Sequence, residues 1–151
     1  MIKAIGTHIK VSDFAKSLAF YEALGFKKVF EYGPDKEVKE AYNGVDFEHN
    51  DCVLEIADGH RGVKPEVFNQ MVTSSKISLM ITVDKIQDII EKCKQNNIPL
   101  AVEPRHYYWG KLEVVVKDPD GTVLVFVQPY NEEDAKAVNA SEEFGVQPPL
   151  S

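Results

Sequence analysis

Residues 4–26 read AIGTHIKVSDFAKSLAFYEALGF, and residues 76–99 read KISLMITVDKIQDIIEKCKQNNIP. In the first stretch Ile5, Thr7, Ile9 and Val11 share one face, while Ala4, Gly6, His8 and Lys10 share the other. A period of two with unlike faces describes a strand packed on one side. Ser12 or Asp13 then offers a side-chain oxygen to cap the first N–H groups of a helix. Phe14, Leu18, Tyr21 and Leu24 recur at helical spacing, and Gly25 stands where a left-handed closing residue belongs. The second stretch repeats the rhythm. Ile77, Leu79, Ile81 and Val83 alternate with Lys76, Ser78, Met80 and Thr82. Asp84 with Gln87 has capping-box spacing. Ile86, Ile89, Ile90 and Cys93 form the helical stripe, which Asn96-Asn97 before Pro99 ends.

Working outward, the first helix is followed by three predicted strands, at 28–32, 38–42 (with a continuation to 47 left open) and 52–57. Gly33-Pro34-Asp35 and His49-Asn50-Asp51 are the turns between them. After the second helix, strands are expected at 100–103, 112–117 and 122–127. Asp118-Pro119-Asp120-Gly121 suits a type I turn, with Asp accepting, Pro presetting φ and Gly closing. The chain therefore divides into two βαβββ modules, 1–57 and 76–128. A linker at 58–75 carries a short helix at 65–71. Residues 129–151 read as an acidic tail with a short helix near 132–138 and a frayed end. The expected class is α+β.

Composition bounds the function. The 151 residues are 44% hydrophobic and 27% charged, typical of a folded domain with its own core. A net charge of −7 argues against nucleic acid or an anionic membrane as partner, since both require concentrated basic surface. No run of about 18 apolar residues is available to span a bilayer. Met1 to Thr7 lacks the charged-then-apolar pattern of a signal peptide. Cys52 and Cys93 have neither disulfide-framework nor metal-site spacing. A reduced, cytoplasmic setting is expected.

The two-module pattern resembles the vicinal-oxygen-chelate superfamily, which includes glyoxalase I, extradiol dioxygenases, fosfomycin-resistance enzymes and bleomycin-resistance proteins. The resemblance covers roughly residues 2–129. It is carried by Val11-Ser12-Asp13, Ser17-Leu18-Ala19-Phe20-Tyr21, Leu24-Gly25-Phe26 and the Asp-Pro-Asp-Gly turn. The second half is most similar to the bleomycin-resistance branch through Trp109-Gly110, Glu113, Val116, Phe126 and Gln128-Pro129. It implies that the modules form an open, curled mixed sheet around a pocket, and that the protein pairs as a homodimer.

The resemblance also implies where a divalent metal would be held. The matching positions here are Gly6, Glu55, Ser78 and Val125, so one ligand type of four is present. A single carboxylate does not hold a catalytic ion, and the expectation is no metal and no cofactor. His8 shares a face with Gly6 and could approach Glu55, with His49, His60 or His106 as helpers. A third fixed ligand is still missing.

Strand parity assigns the faces independently. Cys52, Leu54 and Ile56 would pack on the helices, with Val53, Glu55 and Ala57 opposite. Leu112, Val114, Val116, Leu124 and Phe126 would likewise pack, leaving Lys111, Glu113, Val115, Val123, Val125 and Val127 open. Both cysteines then read as core thiols. The expected ligand-binding residues are Tyr42, Glu55, Ser78, Met80, Tyr108, Trp109, Glu113 and Val125, with residues 105–110 hanging over the mouth. Carboxylates under aromatic rings suit a cationic or planar ligand. Glu55 could instead be an edge charge paired with Lys10, and the Tyr-Tyr-Trp run a dimer contact.

Three readings follow. The first is a metal-free small-molecule binding protein resembling bleomycin-resistance proteins. The second is a glyoxalase- or dioxygenase-type lyase or oxidoreductase with a non-standard metal or acid–base site at Glu55 and His8. The third is a structural or regulatory module whose cavity is filled by side chains.

Overall fold

The computed structural model describes residues 1, 3–61 and 77–149. The helix expected at 65–71 lies outside them. The described chain forms two compact units: residues up to 61 with Asp118–Gly121, and residues 77–117 with 122–149.

The first unit runs β1 (Thr7–Lys10), α1 (Phe14–Ala23), β2 (Lys28–Tyr32), β3 (Gly44–His49) and β4 (Cys52–Ala57). Its sheet order is β1-β4-β3-β2, with β1 parallel to β4 and the other pairs antiparallel. Alternate residues Ile9, Val45, Phe47, Leu54 and Ile56 are buried, and from α1 and its end so are Phe20, Tyr21 and Leu24. Asp13 is the N-cap of α1, its carboxylate accepting from Lys16 N at 3.0 Å. Gly25 takes φ +95° after the helix, as its position implied.

Asp118–Gly121 completes this unit. Asp120 accepts from Ser12 N at 3.1 and 3.2 Å just before the helix. Asp118 accepts from the fully buried Tyr21 hydroxyl at 2.8 Å and from Asp120 N at 2.9 Å. Burial, reinforced by Asp118, holds the Tyr21 hydroxyl protonated well above the usual phenol range.

The second unit repeats the plan with β5 (Ser78–Thr82), α2 (Ile86–Gln95), β6 (Leu100–Tyr107), β7 (Lys111–Lys117) and β8 (Val123–Pro129). It then adds α3 (Glu132–Ala137) and β9 (Ser141–Phe144). The order is β5-β8-β7-β6-β9. The parallel pair β5–β8 matches β1–β4, so the repeat extends to strand order and sense. Leu112, Val114, Val116, Leu124 and Phe126 are buried as parity required, together with Ile86, Ile89 and Cys93 of α2.

Four expectations need correction. The strand expected at 38–42 lies at Gly44–His49, because the alternation of Val45 and Phe47 with Asp46 and Glu48 is the one that meets the core. Asp84 does not cap α2. The N-cap residue is Lys85, without a side-chain cap bond, and Gln128 Oε1 accepts the first helical N–H, from Ile86, at 2.7 Å. Gln128 Nε2 in turn donates to Asp134 Oδ2 at 2.8 Å, so the start of α3 helps position that acceptor. Residues 141–144, expected in a frayed tail, instead form β9, which pairs in parallel with β6. Finally, Cys93 is buried but Cys52 is exposed, since it begins β4 directly after the tight turn from β3, opposite exposed His49.

Candidate functional site

The open face of the first sheet gathers its polar groups on one rung. His8 lies opposite Glu55 across the β1–β4 pair, and Glu55 opposite Asp46 across β4–β3. All three occupy the parity opposite to the core residues, so the row follows from the alternation that builds the core. His8 Nε2 is 3.9 Å from Glu55 Oε1. Tyr32 reaches over from β2 and donates to Glu55 Oε1 at 2.6 Å. Its ring crosses Gly44, where a Cβ would lie 2.0 Å from the Tyr32 Cζ and 2.2 Å from its hydroxyl oxygen, so this crossing requires glycine. Tyr42 stands edge-on to Tyr32, with centroids 5.6 Å apart, and His60 lies 5.5 Å from His8 ring to ring.

Electrostatics distinguishes these groups. Burial lowers the His8 pKa below its usual value; Glu55 opposes that shift, and His60 and Lys10 reinforce it. Burial, with Glu55 beside it, raises the Asp46 carboxyl above the usual carboxylate range. Asp46 Oδ1 is buried without a hydrogen-bond partner among the described residues. Tyr32 is pushed far above the ordinary phenol range by burial and by its bond to Glu55, so it acts as a donor. The row can therefore accept a proton at His8, accept hydrogen bonds at Glu55 and Asp46, and attract a cation.

In the second unit Met80, Val125 and Val115 share one rung of β5, β8 and β7. Thr82, Val127, Glu113 and Arg105 share the next. Ser78 is exposed one step from Met80, which is itself 72% exposed. Residues 107–110 do not hang as a loop. They make a tight turn closed by Gly110 N to Tyr107 O at 2.9 Å, with Gly110 at φ +81°. Trp109 stacks on Tyr107 at 4.4 Å and 12°, and Tyr108 meets Trp109 edge-on at 5.1 Å. The Trp109 indole donates to Glu113, whose carboxyl is nevertheless raised above its usual range by burial. An exposed indole with a carboxylate at its N–H edge is the result.

The expected residues thus fall into two groups. Tyr42, Glu55 and His8 come together in the first unit with Tyr32, Asp46 and His60. Tyr108, Trp109 and Glu113 come together in the second, as do Met80 and Val125. Asp46 and Tyr32 were not foreseen as site residues. Asp46 sat in the misplaced strand, and only the alternation of residues 45–49 could have revealed it. Glu55 engages Tyr32 and His8, not Lys10. A hollow of about 290 Å³ along β2, lined by Lys28, Phe30 and Val38 among others, includes none of the expected residues.

The metal that the resemblance implied does not fit these side chains. Gly6 has none, Val125 has no donor atom, and Ser78 is a weak ligand. Among the described residues no three His, Cys, Asp or Glu groups converge to hold an ion.

Comparison with known proteins places these features in context. Residues 5–126 match the model of the Glyoxalase/Bleomycin resistance protein/Dioxygenase superfamily. A bleomycin resistance protein of Klebsiella pneumoniae is 28% identical over 123 residues, covering 77% of this chain and 84% of that protein. The crystal structure of a bleomycin-binding protein complexed with bleomycin superposes with a TM-score of 0.56 at 25% identity, covering 85% of this chain and all of the other. The fosfomycin resistance protein FosX of Listeria monocytogenes, complexed with Mn(II) and sulfate, gives 0.59 at 12% identity, over 90% of this chain and 99% of that one. The FosX likeness is one of fold.

Proposed function

The chain belongs to the Glyoxalase/Bleomycin resistance protein/Dioxygenase superfamily, and from that premise we propose that it is a metal-free small-molecule binding protein of the bleomycin-resistance kind, taking a cationic or planar ligand. The observation that carries this reading is the exposed Trp109 indole with the Glu113 carboxylate at its N–H edge. Aromatic faces attract cations through their quadrupole, and a neighbouring carboxylate adds its own Coulomb attraction. Asp46 and Glu55 add a second cation-attracting row. Ser78, Met80, Val125, Tyr108 and Tyr42 are proposed as further contacts. The likeness to a bleomycin-binding protein complexed with bleomycin supports ligand binding. We also propose a cytoplasmic homodimer. No helix among the described residues is long and apolar enough to cross a membrane.

The test is calorimetric titration with metal-free bleomycin, followed by mass analysis of the recovered compound. Saturable binding with the compound unchanged is expected, weakened by Trp109→Ala and Glu113→Gln. Absence of binding by bleomycin and by other planar cations overturns the reading.

The second reading, an enzyme of the glyoxalase or dioxygenase type, draws on the Tyr32–Glu55–His8 array, which pairs a donor with a proton acceptor. Stoichiometric Zn, Ni, Fe or Mn in protein purified without chelator, with product formation lost in Glu55→Gln, would favour it.

A further inference from the structure

Trp109 is the chain's single tryptophan and is 53% exposed at the tip of a tight turn. A ring in that position has several rotamers unless something fixes its plane. The fixing group is Tyr107, stacked beneath it at 4.4 Å. Tyr107 in turn stacks on Phe144 of β9 at 5.9 Å and 11°. The Arg105 guanidinium lies 5.2 Å from the centre of the Phe144 ring. Arg105, Phe144, Tyr107 and Trp109 thus form one continuous series of contacts ending at the exposed indole.

Phe144 is held by its backbone. It lies opposite Tyr107 in the β6–β9 register, and its carbonyl accepts from Tyr108 N at 2.8 Å. Two residues earlier, Glu142 Oε2 meets His106 Nδ1 at 2.5 Å. The strand so anchored adds little to the core, because all four of its residues are exposed, Phe144 at 40%. It also lies beyond residues 5–126, the part that matches the family. What its order supplies is the stack.

We propose that β9 is a positioning element for ligand binding: Phe144, acting through Tyr107, sets the plane of Trp109 and so the affinity for a planar cationic ligand. This rests on the binding reading above. The alternative role for β9 is to cover the open edge of β6, which any residue of similar size would serve.

The experiment compares wild type with Phe144→Leu, Phe144→Tyr and Val146→Ala. Leucine keeps apolar bulk but cannot stack; tyrosine keeps the ring; Val146 is 82% exposed and serves as control. Trp109 anisotropy and acrylamide quenching are read first, without ligand, on protein shown to be folded by circular dichroism. Phe144→Leu is expected to lower anisotropy and increase quenching, while Phe144→Tyr and Val146→Ala behave as wild type. Titration with metal-free bleomycin is expected to weaken about threefold to tenfold in Phe144→Leu and to recover in Phe144→Tyr. Wild-type fluorescence in Phe144→Leu overturns the proposal, as does unchanged bleomycin affinity despite altered fluorescence. Failure of wild type to bind bleomycin rejects the binding reading alone, and the ligand-free measurements still decide whether Phe144 positions Trp109. Should Phe144→Leu fail to fold, β9 is structural and the proposal falls.

Discussion

Replacing Gln128 by Ala tests the account of how α2 begins. Gln128 is 2% exposed, and its Oε1 accepts the Ile86 N–H at 2.7 Å. That amide is one of four at the helix start with no partner inside the helix, and Ile86 is fully buried. Alanine removes the acceptor and leaves no space filled by another polar group. Loss of a helix cap costs about 1 kcal/mol, and leaving a buried donor unsatisfied about 1–3 kcal/mol. These describe the same amide, so they overlap, and the expected cost is about 2 kcal/mol. For a chain of this length that corresponds to a fall of about 4–8 °C in Tm. Asp134 keeps Asn131 and Lys85 as donors and adds little to the loss. Urea denaturation measures the cost, and hydrogen exchange at the Ile86 amide locates it. Gln128→Glu keeps the acceptor but sets a second carboxylate against Asp134, so its deficit should shrink on acidification. A cost below about 0.5 kcal/mol for Gln128→Ala, the range of ordinary surface changes, would show that water replaces the side chain and refute the reasoning.

Further outcomes follow from the same geometry. Under native conditions alkylation modifies exposed Cys52 and spares Cys93, whose thiol burial pushes up to about 11, until the protein unfolds; equal rates at the two sites would contradict the assigned faces. Gly44→Ala costs about 1–3 kcal/mol in wild type by forcing a methyl into the Tyr32 ring, and markedly less in a Tyr32→Ala background; identical costs in both rule the clash out. Because burial lowers the His8 pKa in the folded state, unfolded protein binds the proton more readily, so stability falls as pH drops below about 6.5. His8→Gln should flatten that decline, and an unchanged pH–stability curve counts against it. Asp46 has the opposite sense: its raised pKa makes ionisation costly once pH climbs above 3.8, so Asp46→Asn raises Tm at neutral pH and not below that value. A lower Tm at neutral pH would mean that Asp46 has a stabilising partner.

Those elements whose burial follows their own alternation could be read from the sequence. The strand Lys111–Lys117 alternates core and open residues along its length, Cys52–Ala57 and Val123–Pro129 depart from alternation at buried Ala57 and Val127, and Glu55, Glu113 and Val125 fell on the face parity gave them. The residues that escaped depend on distant partners. The cap of α2 comes from Gln128, 42 positions along the chain. The segment Ser141–Phe144 carries two adjacent glutamates and low β propensity, and becomes a strand because β6 offers it an edge. Tyr32 joins Glu55 only because Gly44, on the strand between them, leaves room for a ring. Site chemistry was therefore visible at single positions, while its assembly depended on three strands meeting at one rung.

The Asp118–Gly121 turn bears on how such a chain could be divided or evolved. It is encoded within the second repeat, yet its carboxylates serve Ser12 and Tyr21. A gene fragment ending at the linker would specify all four strands of the first sheet and still lack the acceptor for a buried phenol. The repeat boundary in the gene is thus not a boundary of autonomy. Efforts to recombine halves from different relatives should carry residues 118–121 with the first half, whatever their order in the sequence.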